Sequence, residues 1–286
     1  MLSDDLKLDI KRWIKLRKRL TQIFPFLLPI RVWQRNLFYM IGMKFDGNKY
    51  AKTFGEKLDY EVCNTKTLMI NENSGHDIIY QKNKVDNLKI ASKTMNHVLI
   101  YPGETFSFCY LARKSKKYGK YKEGLVCENG KIVAQKGGGL CHLSNLLHYI
   151  FLMSPLTVVE RHGHKIKSFP DPDKTAIQGI DATINSGWLD LKVKNETDNI
   201  YQIDIEFDDE YMYGRILSNI ESNVEYEIFN EDFKYVSQND KNYECITVLR
   251  KELDKETKEE IKSEKLYDEK VLIGYDLPED VEVEEL

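Results

Sequence analysis

The run Lys136-Gly137-Gly138-Gly139-Leu140-Cys141 constrains this chain more than any other stretch. Three successive glycines end a regular element, because glycine has no β-carbon to favour strand or helix torsions. On one side, Leu125–Glu128 and Lys131–Ala134 flank Asn129-Gly130, the pattern of a two-residue β-hairpin. On the other, Leu143, Leu146, Leu147, Ile150 and Phe151 recur at helical spacing over 140–152, and Pro155 stops the run. The sequence therefore predicts strand, glycine break and buried helix, with Cys141 in the helix's first turn.

That placement has chemical consequences. The first N–H groups of a helix lack intrahelical acceptors, and the helix dipole adds partial positive charge there. Both favour thiolate over thiol, so Cys141 is expected to titrate below ordinary cysteine. The same N–H groups could hold a developing oxyanion, and Gly137, Gly138 and Gly139 are expected to admit a substrate backbone. Four of the six histidines lie between His142 and His164. The expected strand Leu156–Glu160 returns beside the helix, so Glu160-Arg161-His162-Gly163-His164 brings a general base toward the thiol. His164 is favoured over His162 for that role. Asp181, opening a predicted strand over 180–184, would orient the imidazole. His142, Ser144, Asn145 and Arg161 complete the candidate binding set. The order of cysteine, histidine and aspartate looks like the core of papain-like and transglutaminase-like enzymes, an analogy of arrangement.

Two other readings stand beside this one. Cys141 could simply pack the core, or a thiolate with His142, His162 and His164 could form a zinc set, although the spacing fits no compact finger. No metal and no cofactor is expected. Cys63, Cys109, Cys127 and Cys245 lack the glycine–helix context and read as structural, with no Cys-x-x-Cys pair. Nothing in their spacing demands an oxidising compartment.

A chain of 286 residues can bury a large core in one large domain or two modest ones. A net charge of −4 argues against coating nucleic acid. The charge is uneven: residues 7–19 are rich in Lys and Arg, and residues 276–285 are rich in Asp and Glu. These ends read first as solubilising and flexible. Residues 5–20 also fit an amphipathic helix with Leu8, Ile10, Trp13 and Ile14 among basic residues, and a second helix is expected near 31–42. This basic end is expected to touch an anionic membrane surface peripherally. No segment approaches the roughly 20 apolar residues of a membrane span, and no cleavable signal is read, so the cytoplasm is the expected compartment.

The remaining pattern predicts strand and turn over 66–81, a helix over 83–96 and a strand over 98–101. Further strands are expected over 189–194, 201–207, 212–217, 224–229, 243–249 and 266–273. The expected fold class is α+β: helices packed on antiparallel sheet, a helix–strand core carrying the cysteine and histidines, and a β-rich C-terminal half. Residues 1–45 read as a basic helical extension, 46–220 as the main domain and 221–286 as a β-rich extension with an acidic tail.

The same residues resemble a known family. Gly137-Gly138-Gly139-Leu140-Cys141, Ser144-Asn145-Leu146-Leu147 and Val159-Glu160-Arg161-His162-Gly163-His164 are similar to motifs of the VanW family. So are Lys18–Gln22 with Phe24–Pro29, Pro102–Phe108, Gly179-Ile180-Asp181-Ala182-Thr183 and Gly187–Lys192. The resemblance implies a role in glycopeptide resistance and bacterial cell-wall metabolism. Multidomain relatives with such a domain look like L,D-transpeptidases, which implies Cys141 as nucleophile and His164 as base on peptidoglycan stem peptides. A non-catalytic binder of cell-wall peptides, or of a resistance-pathway partner, is the alternative. The family usually carries glutamine where this chain has His142, which implies a different pH profile.

Overall fold

The computed structural model describes residues 24–128, 131–170, 177–278 and 281–285. The chain divides into two compact units, Met1–Gly47 and Asn48–Leu286. In the first, a 3-10 turn at Pro25–Leu27 leads into α1 (Leu28–Phe45), with proline tolerated in the helix's first turn. Ile30, Trp33, Leu37, Phe38, Ile41 and Phe45 are exposed along α1 at helical spacing. The amphipathic helix expected over 5–20 lies outside the described residues.

The second unit opens with β1 (Lys49–Tyr50), β2 (Thr53–Phe54), β3 (Tyr60–Leu68) and α2 (Ile78–Ser92). Next come β4 (Val98–Ile100), β5 (Glu104–Ser107), α3 (Phe108–Ala112), β6 (Glu123–Glu128), β7 (Lys131–Lys136) and α4 (Cys141–Leu152). β8 (Thr157–Glu160), β9 (Ile166–Lys167), β10 (Lys192–Lys194), β11 (Tyr201–Phe207) and β12 (Tyr211–Ser218) follow. β13 (Val224–Ser237), β14 (Asn242–Asp254), β15 (Glu260–Ile273) and β16 (Val283–Glu285) end the chain. The sheets run β1-β5-β10-β8, β2-β4-β11-β12-β3 and β16-β13-β14-β15-β9, with β6-β7 as a separate hairpin. Pairing is mostly antiparallel, so the architecture is α+β with a β-rich C-terminal half, as the patterning predicts.

α4 is buried on nearly every side, as expected of a helix inserted between layers. Leu143, Leu147, Ile150 and Phe151 share one core with Phe106, Ile203, Met212 and Ile216. Gly214 lets β12 lie close under the helix: a β-carbon there would fall 3.0 Å from Leu146 Cγ. A second cluster joins Leu152 to Ile228 and Val248 of the long C-terminal strands. Two of the quoted motifs meet in this core. Asp190 Oδ2 accepts from Ser107 Oγ at 2.5 Å and Asp190 Oδ1 from the Cys109 N–H at 2.8 Å, so the buried carboxylate stitches the 187–192 segment to α3.

Several expectations are corrected. α2 begins at Ile78, capped by Asp77, which accepts from the Ile79 N–H; the exposed Ile78 and Ile79 break the amphipathic period that marked Asn83 as its start. Residues 180–184 form no strand. Side chains take several of their polar backbone groups instead, while the Thr183 N–H donates to the His162 carbonyl at 2.7 Å. The acidic end is not wholly a loose tail, because Val283–Glu285 pairs with β13 and Glu284 Oε2 lies 2.7 Å from Lys234 Nζ.

Candidate active site

The glycine break works differently from the sequence expectation. Gly137 and Gly139 adopt φ of 80° and 90°, the left-handed region that favours glycine. Gly138 lies against Gly124 of β6, and a β-carbon on it would fall 2.1 Å from the Gly124 carbonyl oxygen. A β-carbon on Gly139 would fall 2.3 Å from Lys84 Cγ. The glycines thus allow the hairpin and α2 to close on the start of α4, which accounts for them without a substrate. Asn87 of α2 fastens the same junction, donating to the carbonyls of Gly138 and Lys122 at 3.0 Å each.

Cys141 is the first residue of α4 and is partly buried. Burial by itself would raise its thiol. The hydrogen bond and charge of His164 outweigh that, with help from the Ile184 N–H and the Thr183 hydroxyl, so Cys141 titrates below ordinary cysteine. Thr183 Oγ1 stands 3.7 Å from the sulfur. His164 Nδ1 lies 2.5 Å from Asp181 Oδ2, which also accepts from the His164 N–H at 2.7 Å. That leaves Nε2 as the ring nitrogen for the sulfur. Burial opposes the charge on His164, but Asp181 and Cys141 overcome it and push the ring up to about 10. Both shifts favour a thiolate on Cys141 beside an imidazolium on His164.

The other predicted residues have separate tasks. His162 turns to a different partner: its Nε2 lies 3.1 Å from Glu160 Oε1, and His164 is the imidazole that meets the thiol. His142 Nε2 lies 2.9 Å from Thr67 Oγ1. Burial, then the charge of Lys84, pushes His142 down to about 3, so it is neutral. Ser144 Oγ donates to the Ala182 carbonyl at 2.5 Å, and Asn145 Oδ1 accepts from the Ala182 N–H at 2.8 Å. Arg161 Nε donates to the Asp181 carbonyl at 2.7 Å, and Nη2 reaches Gly179 O and Asp181 Oδ1. His148 Nδ1 donates to the Ile180 carbonyl at 2.6 Å. These side chains replace the ladder bonds a strand over 180–184 would make, and they fix Asp181 where it meets His164. Ser144, Asn145 and Arg161 are thus builders of the site.

The first-turn N–H groups are partly used already, since those of His142 and Leu143 donate to the Gly139 and Leu140 carbonyls. Among the described residues no three His, Cys, Asp or Glu side chains converge as a metal set, and His142, His162 and His164 point to different partners. Sequence reasoning missed Thr183, Lys84, Tyr267 and Glu269. Thr183 follows Asp181 by two residues and was within reach of it. The others stand far off in the chain and carry no local signal. Lys84 lies against Gly139 with no ion-pair partner among the described residues, and burial pulls its amine down to about 8. Cys63, by contrast, is pushed up to about 12 by burial, and Cys109 is raised as well.

Among the described residues no helix is long and apolar enough to cross a membrane. No solved structure matches the chain. The family model described as VanW like protein matches residues 83–217, which hold every member of the Cys141 site except the C-terminal residues Tyr267 and Glu269. The chain is 27% identical to the uncharacterized protein YoaR of Bacillus subtilis (strain 168), over 40% of this chain and 36% of that one. It is 48% identical to the vancomycin B-type resistance protein VanW of Enterococcus faecalis (strain ATCC 700802 / V583), over 94% of this chain and 98% of that protein. With nearly the full length of both chains aligned at that identity, the protein belongs to the VanW family.

Proposed function

We propose that this chain serves in vancomycin resistance as a cysteine acyltransferase of L,D-transpeptidase type, acting on peptidoglycan stem peptides or their precursors. The observation that carries the reading is the Cys141–His164–Asp181 alignment, with a depressed thiol and a charged imidazole. The Cys141 thiolate attacks a peptide carbonyl carbon, and the oxyanion is met by the Cys141 N–H at the start of α4. His164 gives its proton to the leaving amine as the C–N bond breaks, leaving a thioester on Cys141. An acceptor amine or water then attacks the thioester, His164 takes its proton, and the acyl product leaves as the thiolate returns. Lys84, beside the glycine break, suits a carboxylate on the donor peptide. The exposed apolar stripe of α1 carries Arg31, Arg35 and Lys44 and no acidic residue, which supports peripheral contact with an anionic membrane surface.

Incubation of the full chain with a synthetic stem peptide tests the reading. Intact-mass measurement should show an acyl adduct on Cys141 and none in Cys141→Ser. A thiol that titrates like free cysteine and acquires no adduct refutes it, and leaves a peptide-binding role in which Cys141→Ser binds normally.

A further inference from the structure

Strands β13 to β16 of the C-terminal sheet lie outside the residues matched by the family model, yet β15 reaches into the site. Glu269, on β15, places Oε2 2.5 Å from Arg161 Nη1. The two side chains are 13% and 12% exposed, so the pair interacts with little solvent screening. Arg161 lies between Glu269 and Asp181, with Nη2 3.1 Å from Asp181 Oδ1. Its guanidinium stacks 4.6 Å from the centre of the Tyr267 ring, also on β15, and the Tyr267 hydroxyl donates to the Gly179 carbonyl at 3.1 Å. Gly163, between the two histidines, makes room for this contact: a β-carbon there would fall 2.3 Å from Glu269 Oε1.

The charges form a row. Cys141 and Asp181 face His164 directly; Arg161 stands behind Asp181; Glu269 stands behind Arg161, with His148 and Tyr267 flanking it. Alone, the Arg161 cation would draw on the Asp181 carboxylate and oppose a second positive charge on His164. Glu269 neutralises that cation and leaves Asp181 free to hold the imidazolium. We propose that Glu269 is a positioning residue for the Cys141 site, acting through Arg161, so that the C-terminal sheet completes the reactive centre. This rests on the thiolate–imidazolium reading above.

The test is the pH dependence of Cys141 alkylation by iodoacetamide, followed by peptide mass spectrometry on the full chain. Glu269→Gln should move the midpoint upward, so that at a fixed pH below it Cys141 reacts about three- to tenfold more slowly. Glu269→Asp keeps the carboxylate and should bring the profile back toward the parent, whereas a role in packing alone predicts a variant about as impaired as Glu269→Gln. Equal thermal unfolding of the Glu269→Gln variant and the parent confirms that the fold is retained; if it melts early, the comparison is read on Glu269→Asp, whose midpoint should stay at the parent's. A depressed parent midpoint that Glu269→Gln leaves in place overturns the proposal while the acyltransferase reading stands. A shifted midpoint with no stem-peptide adduct supports the proposal and removes that reading. A parent midpoint at the free-cysteine value sinks both.

Discussion

Asp181 Oδ2 grips His164 twice, at the ring Nδ1 and at the backbone N–H, so one carboxylate fixes both the tilt of the imidazole and the chain that carries it. Asp181→Asn keeps the shape but removes the charge that holds the ring protonated. The Cys141 thiolate then loses its cation, and alkylation at pH 7 should slow by about tenfold or more, one pKa unit being a factor of ten. In the parent, the ion pair exists above the lowered thiol value and below the His164 value of about 10. Its reactivity should therefore rise below pH 9 and change again near pH 10. An Asp181→Asn profile that overlays the parent's would show that the carboxylate does not sustain the pair.

Selectivity among the cysteines follows from the same electrostatics. Cys141 is stabilised as thiolate, Cys127 is exposed, and burial raises both Cys63 and Cys109. Brief labelling of native protein at pH 7 should modify Cys141 and Cys127 and spare Cys63 and Cys109 until denaturant is added. Native labelling of Cys109, whose N–H is tied to Asp190, would mean that the core opens readily.

Two neutral histidines should make the fold acid-sensitive. Burial is the largest cause in each: His142 is pushed down to about 3, and His148, fully buried with Nε2 unpartnered, to about 4. Both are depressed from 6.5, so the unfolded chain binds protons that the native chain refuses. Stability present above about pH 6.5 is lost as pH falls, at up to about 1.4 kcal/mol per pH unit for each ring. Urea midpoints at pH 7 and pH 5, above the carboxylate range, should differ accordingly. His142→Gln should reduce the difference while preserving Cys141 alkylation. An undiminished difference would place the acid sensitivity elsewhere.

Much of this was legible in the sequence, and the boundary has physical causes. The periodicity of Leu143 to Phe151 and the glycine break place α4 and Cys141 within a residue, because local torsion and burial set both. His164 and Asp181 could be named because the chain returns beside its own helix. The torsions of 180–184 were misread because β-branched and alternating residues look like a strand whether ladder partners or side chains take up their polar groups. Glu269 and Tyr267 were invisible, since the long-range pairing of β15 with β14 and with β9 carries them back to Arg161. The glycine break is plain in the sequence, but the close partner of Gly138, Gly124, lies fourteen residues before it and across a hairpin.

That partner makes a sharp prediction. At Gly138 an added methyl meets the Gly124 backbone at 2.1 Å, and backbone in a paired strand cannot swing aside as a flexible side chain can. Gly138→Ala should cost about 3 kcal/mol or more, or prevent folding, read as a lowered urea midpoint. Gly42→Ala, which meets nothing within 4 Å and sits inside α1 where alanine is the better helix former, is the control that should not lower the midpoint.

The exposed stripe on α1 sets the last expectation. Trp33 and Leu37 are 64% and 40% exposed, and Ile30, Phe38, Ile41 and Phe45 extend the same surface. Apolar area of this kind beside arginine and lysine suits the boundary between headgroups and acyl chains, where burial and charge attraction add. The full chain should co-sediment with phosphatidylglycerol vesicles more than with phosphatidylcholine vesicles, and less at high salt. Trp33→Glu with Leu37→Glu should release most of the bound protein and leave Cys141 alkylation unchanged, since both positions lie in the first unit and the thiol in the second. Equal binding of the parent and this variant to anionic vesicles would mean that the stripe meets something other than lipid.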